Sequence, residues 1–242
     1  MCKIKYNKNF KKCILSLDTS TKNCSVSLIS KKKIFFRKIK SKYSTNNILF
    51  MIESILKESN IKFNNINSIA FNIGPGSFTG IRIGSLISKS FNFAYKIPII
   101  GITSILIISE NIKRKTNKKN IIIFEEFNKK KKIFITNFSK KKKWRLLKTF
   151  KIDENKKNFI DKIIKSLPKN NFLAIGSFLY KKKYIKIFKK YKNIKIMTNK
   201  KFETNAYDML NIAIYKFLDK DFQNNKNPKL IYLPKNKWKK LI

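Results

Sequence analysis

Histidine is absent from the 242 residues of this chain. Its absence excludes imidazole as a general acid or base, the Ser-His and Cys-His nucleophile pairs, and the usual zinc sites. Cysteine is nearly absent too: the chain contains only Cys2, Cys13 and Cys24. Their number is odd and their spacing matches no zinc motif. The cysteines therefore predict neither a disulfide framework nor a metal site.

Long apolar runs are also missing, because Lys or Asn interrupts each one before it reaches the roughly 18 to 20 residues that cross a bilayer. Nothing at the N-terminus resembles a signal peptide. We therefore expect a cytoplasmic protein without membrane contact, in the reducing compartment where thiols stay free.

Acidic residues are scarce, with 13 Asp and Glu against 57 Lys and Arg and a formal net charge of +44. A field of that size attracts polyanions, so a direct tRNA-binding module is one hypothesis. The arginines, however, are only Arg37, Arg82, Arg114 and Arg145, whereas phosphate and base readers depend on the guanidinium fork. Lys shares A/T-rich codons with the abundant Asn, Ile and Phe, so mutational bias in an A/T-rich genome is the simpler explanation of the charge.

Glycine is rare as well, yet four of the six glycines fall within residues 74–84, G-P-G-S-F-T-G-I-R-I-G. Proline fixes φ in such a segment, glycine allows positive φ, and Ser77 or Thr79 can cap the following helix. The segment lacks the Gly-Lys-Ser/Thr of a Walker A motif and the spacing of a Rossmann fingerprint. This glycine segment is suited to close backbone approach, either to a phosphate or to another chain.

Hydrophobic periodicity predicts a β-meander, then alternating strands and helices, and then a second run of the same kind. The predicted strands are residues 13–18, 24–30, 33–39, 66–72, 97–102, 121–127, 133–138, 144–150 and 172–175. The predicted helices run from Ser44 or Thr45 to about 60, 79–97, from Thr103 or Ser104 to about 112, 158–166 and 206–218. We expect an α/β protein with lobes at 1–112 and 113–225 and an ordered tail, 226–242, that returns to the first lobe.

The first predicted strand ends in the sequence D-T-S-T, residues 18–21. A carboxylate and three hydroxyls suit phosphate oxygens or their Mg²⁺, and turns of this kind approach nucleotide in sugar kinases and actin-like ATPases. A turn that only stabilises its own hairpin is the alternative. The candidate phosphate contacts are Asp18, Thr19, Ser20, Thr21, Gly74, Gly76, Ser77, Thr79 and Gly80.

These segments together resemble a known family. D-T-S-T with C-S-V-S-L, the helix S-T-N-N-I-L-F-M-I-E-S-I-L, the strand and glycine segment S-I-A-F-N-I-G-P-G-S-F-T-G-I-R-I-G, I-P-I-I-G-I-T-S-I and P-K-L-I-Y-L-P occur in the order seen in the TsaB (YeaZ) family. The resemblance covers residues 13–105 well, the last fifteen moderately and 106–225 poorly.

The resemblance implies a two-lobed actin-like ATPase (ribonuclease H-like) fold with a degenerate nucleotide site. Such a protein is a non-catalytic scaffold that dimerises with the transferase TsaD and, through it, works with TsaE. TsaD uses a histidine-bound metal to threonylcarbamoylate adenosine 37 in tRNAs that read ANN codons, so this chain contacts tRNA indirectly. No cofactor is expected to bind tightly, ATP or ADP can lie at the partner interface, and a homodimer can form when the partner is missing.

The resemblance also implies a partner interface built from the helix after the meander and the helix after the glycine segment. The implied residues are Ile48, Leu49, Ile52, Ile55, Leu56, Arg82, Ile83, Leu86, Ile87 and Ser90. Both helices are apolar around more of their circumference than a core-facing stripe requires. The chain departs from the family at Tyr43, where a His is frequent, and at residues 125–128, where an Asp-Ala-Arg-like segment is usual.

An active actin-fold ATPase or kinase that uses Asp18 is a further hypothesis. It requires a second acidic group near the phosphates. Glu125 and Glu126 are the candidates, but no glycine-rich phosphate loop follows them, which speaks against this reading.

Overall fold

The computed structural model describes residues 10–40, 47–127, 130–139, 143–152, 159–176, 179, 182–198, 202–221 and 227–232. In chain order the elements are β1 (Ile14–Asp18), β2 (Asn23–Ser30), β3 (Lys33–Lys40), α1 (Ile48–Ser59), β4 (Ser68–Gly74), α2 (Phe78–Tyr95), β5 (Ile99–Thr103), α3 (Ser104–Thr116), β6 (Asn120–Phe127), β7 (Lys130–Phe138), β8 (Trp144–Lys151), α4 (Phe159–Lys165), β9 (Phe172–Gly176), α5 (Lys182–Phe188), β10 (Ile194–Met197) and α6 (Ala206–Leu218).

The first unit is built on a five-stranded sheet in the order β3-β2-β1-β4-β5. The meander β1-β2-β3 is antiparallel, whereas β4 lies parallel to β1 and β5 parallel to β4. Every residue of β1, β2 and β4 is buried. Parallel strands need helical crossovers, and helices on both faces of the sheet explain why even the polar residues of these strands, such as Ser16, Ser27 and Asn72, are buried.

The two faces of this sheet carry different helices. Leu15 and Leu17 of β1 belong to a core cluster that includes α1 and partly buried residues of α2. Ser16 points to the other face, where its hydroxyl donates to the carbonyl of Ala206 at the start of α6 over 2.8 Å. Because side chains alternate along a strand, one strand thus joins two helical layers.

The second unit repeats the same plan. Its sheet has the order β8-β7-β6-β9-β10, with β6-β7-β8 antiparallel and β9 parallel to both β6 and β10. A core cluster unites this sheet with α4 and α5 through Phe124, Ile163 and Phe188. The prediction of an α/β protein with two lobes of related plan is confirmed.

The division of the chain differs from the predicted one. Among the described residues, the first unit comprises 10–114 and 203–232, and the second comprises 115–202. Residues 203–225 were expected in the second lobe, but α6 packs against β1, β2, β4 and β5, so that boundary needs correction. α5 and β10 were not predicted, because both are short and rich in lysine.

No helix in the described ranges is long and apolar enough to cross a bilayer. The predicted cap at Ser44 or Thr45, and Tyr43, lie outside the described residues.

Two buried thiols give a first testable prediction. Burial raises the pKa of Cys13 to about 11 and that of Cys24, which also senses the charge of Asp18, to about 12. Thiolate is the reactive form, so at pH 8 the thiolate fraction falls below that of an exposed thiol by about two-hundredfold for Cys13 and about two-thousandfold for Cys24. A Cys2→Ser variant, in which only these two thiols remain, should react slowly with iodoacetamide when native and rapidly in guanidinium. Equal rates in both states would show that the thiols are accessible.

Candidate functional site

The glycine segment packs directly on the D-T-S-T turn. The amide of Ser77 donates to the carbonyl of Ser20 over 2.7 Å, and the Thr19 hydroxyl donates to the carbonyl of Gly80 over 2.6 Å. A Cβ added at Gly76 would lie 2.6 Å from the Ser20 carbonyl oxygen, and one added at Gly80 would overlap the Thr19 carbonyl oxygen. The close approach predicted for this segment is therefore made to the chain's own backbone.

The polar groups of the turn are engaged within the first unit. One carboxylate oxygen of Asp18 accepts from the amide of Ser20 and from Nδ2 of Asn72, both over 3.1 Å. The Ser20 hydroxyl accepts from Asn72 Nδ2 over 2.8 Å and lies 3.1 Å from the hydroxyl of Thr204. Ser104 donates to Asn72 Oδ1 over 2.9 Å. This buried network ties the turn to β4, α3 and the segment before α6.

The network changes the expectation of phosphate contact. Asp18, Thr19, Ser20, Gly74 and Gly80 are buried, and Thr21 hydrogen-bonds to the backbone of Asn23. The turn therefore stabilises its own surroundings, as the alternative interpretation required. Asp18 Oδ2 is a buried acceptor without a hydrogen-bond partner among the described residues. Phosphate contact stays a prediction for the exposed Gly76, Ser77 and Thr79.

Helix α2 begins where the glycine segment fixes it. Ser77 is the N-cap and its hydroxyl accepts from the amide of Gly80 over 3.3 Å, as the sequence allowed. On the buried side, a Cβ at Gly84 would lie 2.7 Å from Oγ1 of Thr19. Glycine at positions 80 and 84 lets α2 lie close to the D-T-S-T turn, so that the opposite side of α2 faces solvent.

Exposure divides the ten implied interface residues into three groups. Leu49 and Leu86 are 55% and 66% exposed, and Arg82 and Ser90 are exposed as well. Leu56, Ile83 and Ile87 are half-buried. Ile48, Ile52 and Ile55 are at most 2% exposed and belong to the core cluster under α1, so their assignment to the interface is corrected: α1 turns its isoleucines onto the sheet.

Sequence reasoning missed several exposed aromatic residues on the same helices. Phe50 of α1 and Phe93 of α2 are 70% and 79% exposed, and Phe78 is exposed at the start of α2. Helical spacing could have found those of α2, because residues three or four apart share a face. The resulting row, which we call the α2 stripe, consists of Phe78, Arg82, Leu86, Ser90 and Phe93.

The second unit presents no comparable acidic site in the described residues. Glu125 and Glu126 lie on β6 opposite Lys132 and Lys131 of β7. No group of three Cys, Asp or Glu within the described ranges is arranged to hold a metal ion.

One comparison with known proteins covers α1, the glycine segment and α2. A family model described as TsaD, tRNA N6-adenosine threonylcarbamoyltransferase, matches residues 35–123. The tRNA threonylcarbamoyladenosine biosynthesis protein TsaB of Buchnera aphidicola subsp. Schizaphis graminum is 40% identical over 111 residues, 46% of this chain and 53% of the relative. The Escherichia coli protein of the same name is 32% identical over 110 residues, 45% of this chain and 48% of the relative.

Over just under half of its length the chain is similar to proteins named TsaB. It spans about half the length of the curated relatives that it matches. Within the matched region lie α1, the glycine segment and α2, so the family likeness and the exposed apolar residues coincide.

Solved structures establish the fold. YeaZ from Pseudomonas aeruginosa has a TM-score of 0.69 at 18% identity, covering 87% of this chain and 95% of that one. A second structure from the same organism, described as similar to peptidase YEAZ, has a TM-score of 0.73 at 17% identity, covering 92% and 100%. With the duplicated strand order, these likenesses confirm the predicted actin-like ATPase fold.

The contact between the glycine segment and the turn predicts a large effect of Gly80→Ala. The new methyl group would overlap the Thr19 carbonyl oxygen, and relieving such overpacking costs about 3 kcal/mol or more when backbone must move. Thr79→Ala, one residue earlier and exposed, should stay within about 0.5 kcal/mol of the parent. Urea denaturation checks both free energies of unfolding, and equal values would contradict the packing.

The division of α1 into a buried and an exposed side predicts different stabilities for a second pair of variants. Ile52→Ala should lower the free energy of unfolding by about 2 to 5 kcal/mol, because it leaves a cavity in the core cluster. Leu49→Ala, on the exposed side of the same helix, should change it by about 0.5 kcal/mol or less. Thermal and urea melts of the two variants measure these losses. If α1 were rotated, Leu49→Ala would be the more destabilising substitution.

Proposed function

We propose that this chain is a non-catalytic subunit that binds a TsaD-type transferase and supports threonylcarbamoylation of adenosine 37 in tRNAs reading ANN codons. The similarity to TsaB proteins supports this role, since the matched relatives are named for threonylcarbamoyladenosine biosynthesis. TsaE then joins through the transferase, and tRNA is contacted indirectly.

One observation carries the proposal. Leu49, Phe50, Leu86 and Phe93 expose more than half of their surface on two helices that pack on the same core cluster. Large apolar side chains grouped on a surface mark protein interfaces. All four lie within residues 35–123, which match the TsaD family model.

The chemistry of the chain supports a role without catalysis. It contains no histidine, and the turn that could approach a nucleotide directs its hydroxyls into hydrogen bonds with its own unit. We therefore propose that ATP or ADP, if bound, binds only in the presence of the partner.

We call Leu49, Phe50, Leu86, Phe93 and the α2 stripe the docking surface, and disrupting it gives the decisive test. Leu86→Asp or Leu49→Asp should abolish co-purification with the transferase encoded in the same genome, because a carboxylate would be buried against apolar groups. Both variants should keep the parent's circular dichroism and melting temperature, since both positions are exposed. Leu218→Asp is the matched control, as Leu218 is 51% exposed on α6, and it should leave the complex intact. If both Leu86→Asp and Leu49→Asp still formed a stable complex, the assignment of the docking surface would be wrong.

The two other hypotheses give different results on the isolated chain. Calorimetry with Mg-ATP would show binding and turnover for an active ATPase or kinase. A tRNA-binding module would discriminate tRNA from random RNA and lose affinity steeply with salt. We expect no turnover, and only salt-sensitive adhesion without discrimination.

A further inference from the structure

Three exposed side chains form a cluster where α2 begins. The guanidinium carbon of Arg82 lies 3.8 Å above the ring centroid of Phe78 and 5.6 Å from that of Tyr232. The two rings are 5.2 Å apart, and Arg82 Nε donates to the Tyr232 hydroxyl over 3.3 Å. Such contacts hold a flexible cation in one orientation.

Tyr232 reaches this position because the tail is fixed by three preceding contacts. Pro228 packs on Gly101: a Cβ added at Gly101 would lie 2.6 Å from the Cβ of Pro228. Leu230 packs on the core cluster of the first unit. The amide of Ile231 donates to the carbonyl of Ile73 over 2.7 Å, and its carbonyl oxygen fills the space that a side chain at Gly74 would need.

The cluster continues the α2 stripe, since Phe78, Arg82 and Leu86 follow one another at intervals of four residues. Among the described residues Arg82 hydrogen-bonds through Nε alone, and its two terminal nitrogens have no partner within that part of the chain. A guanidinium stacked on a ring with both terminal nitrogens unused is arranged for bidentate pairing with a carboxylate. The apolar residues beside it would exclude water from that pair.

We propose that the tail is part of the docking surface: Tyr232 holds Arg82 over Phe78, and Arg82 pairs with a carboxylate on an otherwise apolar partner face. Tyr232 is thus a positioning residue and Arg82 the contact. The inference rests on the proposed function, because it defines the chemistry of the partner at that same surface. The +44 charge of the chain favours an acidic group opposite.

Calorimetric titration of the same transferase with the full-length chain and its variants tests the inference. Arg82→Gln should weaken binding about tenfold or more, as loss of an interface anchor does. Arg82→Lys should not restore it, because an ammonium neither stacks nor forks. Tyr232→Leu should weaken binding about threefold to tenfold by releasing Arg82, and Tyr232→Phe, which keeps the ring, should fall between Tyr232→Leu and the parent.

The double variant separates positioning from independent contact. In the Arg82→Gln background, Tyr232→Leu should have no further effect, because there is no guanidinium left to hold. A full additional loss would show that Tyr232 acts through its own contact or through folding, and would overturn the positioning role. If Leu86→Asp abolishes binding while Arg82→Gln does not, the carboxylate pairing is wrong and the proposed function stands. If the parent chain does not bind the transferase, the proposed function itself fails.

Discussion

The backbone contact between the glycine segment and the D-T-S-T turn is the constraint on which the first unit depends. Two carbonyl oxygens, of Thr19 and Ser20, occupy the volume that side chains at Gly80 and Gly76 would need, and two hydrogen bonds join the same residues. Since backbone atoms cannot move aside as flexible side chains do, the start of α2 is fixed in position and direction relative to β1. Everything that α2 presents to solvent follows from that placement.

The contact also explains why the chain holds its glycines where it does. In a sequence dominated by Lys, Asn, Ile and Phe, Gly74 makes room for the tail and Gly76 and Gly80 for the turn, while Gly101 makes room for Pro228. Gly74 in addition has a φ of +99°, a conformation that costs other residues strain. Each of these glycines is a place where two segments meet more closely than a Cβ allows.

A surface for a partner then arises from the same packing. Because α1 places its isoleucines and α2 its glycines toward the sheet, Leu49, Phe50, Leu86 and Phe93 are left exposed. The tail, anchored at Gly101 and Gly74, brings Tyr232 beside Arg82 at the end of this surface. The D-T-S-T turn thereby gives α2 a rigid support, as a subunit that acts by binding would need.

The sequence by itself determined the α/β plan, most element positions and the likeness to TsaB proteins, because periodicity and the glycine segment are local signals. It also pointed to the two helices that carry large exposed apolar residues. It did not separate Ile52 from Leu49 or find Phe50, because a helix with so wide an apolar face does not reveal which part of that face meets the sheet. The assignment of α6 to the first unit and the contact of Tyr232 with Arg82, 150 residues apart, were decided only by tertiary structure. Such contacts depend on long-range packing, which no local pattern encodes.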